Sequence, residues 1–135
     1  MNDVNKQQNI SIEVEKGQAA LRQARILLDQ KEYDGSISRA YYAIFHYATA
    51  TLLTKGIEAR SHEGLVRMYN LHFIKNGVFP KKYSTILSHL QKAREESDYR
   101  PEIPFTKEDA ETRFDEARDF IAHMGEFLKS SGFVI

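Results

Sequence analysis

The 135-residue sequence contains no cysteine, and this absence excludes several kinds of site. Without thiols the chain forms no disulfide, holds no thiolate-ligated zinc and has no cysteine nucleophile. It also lacks an excess of charge, because nineteen basic and nineteen acidic residues give a formal net charge of zero. Neutral charge is not typical of proteins that coat nucleic acid or anionic membranes by bulk charge. We expect a cytoplasmic protein, since a chain without cysteine suits a reducing compartment.

Long apolar runs and chain breakers are scarce as well. No stretch approaches the roughly 18 apolar residues of a membrane-spanning helix, and the polar start of the chain is unlike a signal peptide. Only three prolines and seven glycines interrupt the sequence, and 41% of its residues are hydrophobic, enough for a core. We therefore expect no membrane contact and a single helix-rich domain over residues 1–135, of which residues 1–9 form a flexible tail.

Apolar residues recur at steps of three and four over most of the chain, which predicts helices. The first helix is predicted over about residues 14–30. Later helix starts are marked by residues that satisfy or tolerate free amide groups: Asp34, Ser61, Pro80 and the Thr106–Asp109 pair. Because the loops between them are short, we predict an all-α fold, an up-and-down antiparallel helical bundle of four long helices plus one shorter helix.

The last predicted helix carries the clearest core stripe. Its apolar residues follow one another at steps of 4, 3, 4, 3 and 4: Ala110, Phe114, Ala117, Ile121, Met124 and Leu128. We expect this face of the helix to be buried.

Motifs for metals and for phosphate loops are missing. The chain has no Glu-x-x-His pair of a carboxylate-bridged metal site and no His-Glu-x-x-His zinc motif. It also has no glycine-rich phosphate loop, dinucleotide fingerprint or nucleophile elbow. We therefore expect neither a metal site nor a cofactor.

Three polar clusters remain as candidate sites, and the first is S-R-A-Y-Y-A-I-F-H (38–46). This predicted helix has aromatic residues on several faces. Tyr42 and His46 are four residues apart, so they share one side of it and are candidate ligand-binding residues. The same pattern suits a bundle interface or an oligomer contact.

The second cluster, R-S-H-E-G (60–64), lies at a predicted helix start. One interpretation is simple capping, because Ser61 and Glu63 favour the positive end of a helix. The other is phosphate binding, in which the free amides act together with Arg60 and His62.

The third cluster, R-E-E-S-D-Y-R-P (94–101), lies at a predicted helix end. Arg94 and Asp98 are four residues apart and therefore share a face on which they form an ion pair. An arginine oriented by a carboxylate suits a phosphodiester and its developing charge, and Tyr99 is placed to orient a substrate. The alternative is a structural salt bridge before a proline-containing turn.

With these clusters, the chain resembles the HEPN domain family, specifically the small stand-alone proteins of bacteria and archaea. The resemblance is carried by the three clusters and by F-I-K-N-G-V-F (73–79), and it runs in order over about residues 10–130. It implies a helical bundle that dimerises. Many members cut RNA without a metal through an R-x4-6-H motif, and several are toxins whose partner is a minimal nucleotidyltransferase.

The resemblance carries over at Arg94, which matches the motif arginine, and departs from the family at the motif histidine. With a four-residue spacer, that place is taken by Tyr99, and the next histidine is the distant His123. Histidine titrates near neutral pH, whereas an unperturbed tyrosine has a pKa of about 10. We therefore expect a homodimeric binding module for a nucleotide or RNA phosphate that acts with a nucleotidyltransferase partner.

Two alternatives stay open. In the first, the protein is an active metal-independent ribonuclease toxin in which Arg94, Asp98 and Tyr99 still cleave RNA, or in which His62 or His46 moves the proton. In the second, the protein is a structural adaptor whose exposed aromatic residues dock a partner protein.

Overall fold

The computed structural model describes residues 3–99 and 104–135, apart from the side chain of Tyr99. These residues form five α-helices and no strand: α1 (Asp3–Asp29), α2 (Tyr33–Leu53), α3 (His62–Tyr69), α4 (Lys82–Tyr99) and α5 (Lys107–Ser130). One π-helical turn, Asn70–Ile74, extends the short α3. The predicted all-α bundle of four long helices and one shorter helix is confirmed.

Helix α2 is the centre of the bundle and packs against α1, α4 and α5. Its buried residues Ile37, Tyr41 and Ile44 are fully enclosed. Helix α1 approaches α2 closely because it has a glycine at the crossing. A Cβ atom on Gly17 would lie 2.6 Å from the ring of Tyr47, so a larger residue there would force the ring or the helices to shift.

Helix α1 begins earlier than the sequence pattern predicts, so residues 3–9 are helical and do not form a tail. Ile10 and Val14 are buried one turn apart and extend the apolar stripe of the helix. The polar first turns are tied to other parts of the chain. The Lys6 ammonium donates to the Thr54 carbonyl at 3.2 Å, and the Gln7 amide exchanges two hydrogen bonds with the backbone of Val134, at 2.9 and 3.1 Å.

Helix starts are set largely by side-chain caps. Ser61 accepts a hydrogen bond from the first turn of α3, and Thr106 forms a reciprocal capping box with Asp109 at the start of α5, both as predicted. The prediction for α2 is wrong, because Asp34 lies inside its first turn. The Asp34 carboxylate instead accepts from the Phe105 amide at 3.5 Å, and so contacts the residue before the α5 cap.

The core stripe of α5 matches the prediction at five of its six positions and differs at one. Phe120 is fully buried, whereas Ile121 is only half-buried. The Phe120 ring lies 5.9 Å from the Tyr69 ring and 6.2 Å from the Tyr83 ring. The larger aromatic side chain therefore fills the space between α3, α4 and α5. None of the helices in the described ranges is long and apolar enough to cross a membrane.

Candidate phosphate-binding site

The side chain of Arg94 lies at the centre of a cluster between α2 and α4. Its guanidinium carbon is 5.4 Å from the centre of the Tyr41 ring and 5.1 Å from that of Tyr42. Arg94 Nη2 donates a hydrogen bond to Tyr42 Oη at 3.0 Å. These contacts hold the guanidinium in one orientation. The side chain of Arg94 is 25% exposed and therefore still reaches solvent.

The charge of Arg94 is only partly balanced. Asp98 Oδ2 lies 3.7 Å from Nη2, beyond hydrogen-bond distance, and the Asp98 side chain is 46% exposed. An exposed pair of this kind is weak because water competes for both charges. Arg94 Nε is buried and has no hydrogen-bond partner among the described residues. A guanidinium offers five N–H donors, so Arg94 keeps donors for a further acceptor.

His62 joins the cluster from the first residue of α3. Its Nδ1 lies 2.5 Å from Tyr41 Oη, and its ring stacks on Phe45 with a centroid distance of 4.7 Å. Since Nδ1 faces the tyrosine, Nε2 is the nitrogen left for another partner. Partial burial, and then the positive charge of Arg94, lower the pKa of His62 below its usual value, so its neutral form is favoured.

Tyr41 links the histidine to the arginine. It is fully buried, and burial raises the pKa of its phenol to about 12, although the nearby Arg94 charge opposes that rise. The Tyr41 hydroxyl is therefore protonated at any physiological pH and acts as a neutral hydrogen-bonding group. It fixes the His62 ring in place and contributes no charge.

The structure brings together four of the residues that the sequence analysis selects: Tyr42, His62, Arg94 and Asp98. Among the described residues, two others form no hydrogen bond, ion pair or ring contact with these four. Arg60 is exposed, and no described residue forms a hydrogen bond or ion pair with it. His46 pairs with Glu13 of α1, with Nδ1 and Oε2 2.7 Å apart, although it shares a helix with Tyr42. The side chain of Tyr99 lies outside the described residues.

Tyr41, Phe45 and Arg39 were not among the selected site residues, although all three stand in the first cluster. The guanidinium carbon of Arg39 lies 4.8 Å from the centre of the Tyr42 ring, and Nη1 donates to Gln23 Oε1 at 3.2 Å. Two signals could have identified Tyr41 and Arg39. A tyrosine at a core position needs a partner for its hydroxyl, and an arginine three residues before a tyrosine lies over its ring on a helix.

A second cluster of similar composition lies between α4 and α5. The rings of Tyr83 and His123 stack at 4.2 Å, and Lys82 Nζ is 5.8 Å from the centre of the Tyr83 ring. Here one carboxylate binds both the lysine ammonium and the tyrosine hydroxyl. Asp119 lies 2.5 Å from the Lys82 ammonium and accepts a hydrogen bond from the Tyr83 hydroxyl at 3.0 Å. In the described ranges, no three histidine, aspartate or glutamate side chains come together in a way that could hold a metal ion.

This protein is of the class of small helical bundles, and in it a tyrosine-bound arginine lies in the last third of α4. The family model for the HEPN domain matches residues 12–127, and the chain belongs to that family. It is 36% identical over 116 residues to "Putative toxin MJ0605" of Methanocaldococcus jannaschii, a match that covers 86% of each chain.

One further relative and one solved structure are similar to this chain. The chain is 46% identical over 69 residues to the UPF0332 protein PH1297 of Pyrococcus horikoshii, a match that covers 51% of this chain and 49% of the relative. The crystal structure of TT1696 from Thermus thermophilus superimposes with a TM-score of 0.74 at 19% identity, over 87% of this chain and 96% of that one. That likeness supports the fold alone.

Proposed function

We propose that this chain is a toxin-like HEPN protein whose homodimer binds the phosphate of a nucleotide or of RNA at Arg94. The observation that carries the proposal is the state of the Arg94 guanidinium, which two tyrosine rings hold in place at 25% exposure while its charge is incompletely paired. An arginine that is already oriented loses less entropy when it forms hydrogen bonds to phosphate.

The surroundings of Arg94 favour an anion over a cation. A guanidinium binds phosphate through two parallel hydrogen bonds, and such charge-assisted bonds are stronger than neutral ones. The one carboxylate within ion-pair distance in the described part of the chain, Asp98, is 3.7 Å away and half exposed, so an incoming phosphate displaces it at small cost.

We further propose a role in a two-component system with a minimal nucleotidyltransferase as the neutralising partner. The support is the family resemblance together with the names of two relatives from Methanocaldococcus jannaschii, "Putative toxin MJ0605" and "Putative toxin MJ0142". A toxin that is kept in a living cell needs a neutralising partner.

The proposal is tested by measuring the mass of the purified protein in solution and its melting temperature with mononucleotides and short RNA. We expect a dimer that at least one of these ligands stabilises. Arg94→Gln should abolish the ligand-dependent rise, whereas Arg118→Gln, which removes an exposed arginine of α5, should retain it. A monomer whose melting temperature no nucleotide or RNA changes would overturn the proposal.

A second candidate function, metal-independent RNA cleavage, is favoured by the position of His62. The motif histidine that the family places after the arginine is absent, but His62 adjoins the same arginine through Tyr41 and is kept neutral. For Nε2 to accept a proton, Nδ1 must carry the hydrogen and donate it to the Tyr41 oxygen.

The reaction would proceed by attack of the ribose 2′ oxygen on the neighbouring phosphorus. The bond from phosphorus to the 5′ oxygen breaks, which leaves a 2′,3′-cyclic phosphate. His62 takes the 2′-hydroxyl proton, and the resulting imidazolium returns a proton to the leaving 5′ oxygen. Arg94 stabilises the charge that develops on the phosphate.

This candidate is tested by incubating RNA with the purified protein in EDTA. Cleavage by the wild type that is lost in both His62→Ala and Arg94→Ala would support it. If the wild type binds RNA but leaves it intact, the ribonuclease function is excluded and the binding function stands.

A further inference from the structure

We propose that the ligand of this site is a single nucleic-acid strand held through two consecutive phosphates, one at Arg94 and the other at Arg39. The inference rests on the proposed phosphate binding at Arg94 and deepens it, because it adds a second phosphate contact to the site. It assigns a binding role to Arg39, a residue of α2 that lies outside the family's arginine motif.

The two arginines reach the same tyrosine from different helices. The guanidinium carbons of Arg39 and Arg94 lie 4.8 Å and 5.1 Å from the centre of the Tyr42 ring. They are therefore at most about 10 Å apart, the sum of those two distances. Arg39 lies on the α1 side of Tyr42, where it contacts Gln23, and Arg94 lies on the α4 side.

Both cations are short of counter-charge. The hydrogen-bond acceptor of Arg39 in the described residues is the neutral amide oxygen of Gln23, which occupies one of its five donors. Among the described residues, the one carboxylate within ion-pair distance of Arg94 is that of Asp98, at 3.7 Å. Two positive charges this close repel each other, and an anion that spans them relieves the repulsion.

Two guanidinium groups up to about 10 Å apart can each bind a phosphate of its own when the phosphates belong to one strand. Consecutive phosphodiesters of one strand are separated by a sugar, so they can occupy both guanidinium groups in turn. The phosphates of a nucleoside diphosphate share a bridging oxygen and lie much closer together. A strand that crosses Tyr42 from the α1 side to the α4 side meets Arg39, Tyr42 and Arg94 in that order.

The test is the salt dependence of binding to a short fluorescent single-stranded RNA, measured by anisotropy. Each phosphate contact to a single strand contributes about 0.7 to the slope of log affinity against log salt. We expect Arg39→Gln to reduce the slope by about 0.7 and to weaken binding about tenfold at low salt, the loss of one charge-assisted contact. Arg39→Lys, which keeps the charge, should retain the slope.

The matched control is Arg118→Gln. Arg118 also lies over an aromatic ring, 5.9 Å from the centre of Phe114, but it is paired with Asp115 at 3.1 Å. The substitution removes the same charge from a different part of the surface, so we expect neither the slope nor the affinity to change. A loss as large as that of Arg39→Gln would show that net charge, and no specific contact, governs binding.

Three ligands separate the remaining outcomes: a nucleoside monophosphate, a nucleoside diphosphate and a 5′-phosphorylated dinucleotide. Arg39→Gln should weaken binding of the dinucleotide and leave the monophosphate unchanged. An equal loss for the diphosphate would contradict a strand as the ligand. If Arg39→Gln matches the wild type on every ligand while Arg94→Gln does not, the second contact is wrong and the proposed function survives. If Arg94→Gln also matches the wild type, both fail.

Discussion

Two clusters in this bundle are built from the same kinds of side chain, a tyrosine stacked on a histidine with a cation over the tyrosine ring. In the cluster between α4 and α5, Asp119 bonds to both Lys82 and Tyr83 at 2.5 and 3.0 Å, so the cation and the hydroxyl share one carboxylate. In the cluster between α2 and α4, Arg94 bonds to a neutral hydroxyl and leaves a buried Nε without a partner in the described residues.

The difference shows that residue types do not by themselves mark a site. A cation that a carboxylate already binds at short distance has its charge balanced within the protein's own contacts, whereas a cation that is fixed but unbalanced is prepared to bind an anion. Substitutions in the Asp119 cluster should therefore change stability, and substitutions in the Arg94 cluster should change binding. The predictions below test this distinction, from the largest expected effect to the smallest.

Tyr83→Ala should be the most damaging change. Tyr83 is 8% exposed, and its removal leaves a cavity and an unpaired Asp119 oxygen, so we expect a loss of about 3 kcal/mol in the free energy of unfolding. Tyr42→Ala, at a half-buried position, should cost about 1 kcal/mol but should greatly weaken phosphate binding. Urea denaturation measures the loss in the free energy of unfolding for both variants. A larger loss for Tyr42→Ala than for Tyr83→Ala would contradict the distinction between the two clusters.

Asp98→Asn should strengthen binding. The carboxylate competes with phosphate for the Arg94 guanidinium, and an exposed pair of this kind contributes little, so we expect a gain of about threefold in affinity. A titration with labelled RNA measures it. Weaker binding in the variant would mean that Asp98 orients Arg94 and does not compete for it.

Asp119→Asn should lower the melting temperature slightly at neutral pH and not in acid. The hydrogen bond from Lys82 holds the pKa of Asp119 below 3.8, its value in an unfolded chain. The stabilising contribution is therefore fully present above that pH and is lost as the pH falls through the folded-state pKa. Melting curves of wild type and variant should converge at low pH, and a gap that stayed constant would contradict the assignment.

The smallest effect concerns the pKa of His62. Partial burial and the Arg94 charge both lower it, so Arg94→Gln should raise it toward the ordinary value of 6.5. NMR titration of the His62 ring measures the change. If the pKa does not move, the two side chains are not electrostatically linked, and His62 is not part of the Arg94 site.

Much of the fold follows from local sequence signals. Ser61 and the Thr106–Asp109 pair act within one helical turn, so their roles can be predicted from spacing alone. The start of α1 could not be predicted in this way, because its polar first turns are held by distant groups such as the Val134 backbone. Whether Phe120 or Ile121 is buried depends likewise on neighbouring helices.

In the candidate site, too, some contacts follow from local spacing and others depend on how the helices pack. Arg94 and Asp98 could be paired from their spacing on one helix. The contacts of Arg94 with Tyr42 and of His62 with Tyr41 join residues from three helices, and they depend on the order in which the bundle packs. Spacing on α2 placed His46 beside Tyr42, but it could not show that His46 pairs with α1.

The most direct test of the account is the binding of a short single-stranded RNA by three proteins, the wild type, Arg94→Gln and Lys82→Gln. Each substitution removes one positive charge over a tyrosine ring of α2 or α4. We predict that Arg94→Gln weakens binding at least about tenfold, while Lys82→Gln binds like the wild type. Equal binding by all three proteins, or equal losses in both variants, would contradict the claim that Arg94 is the phosphate-binding residue.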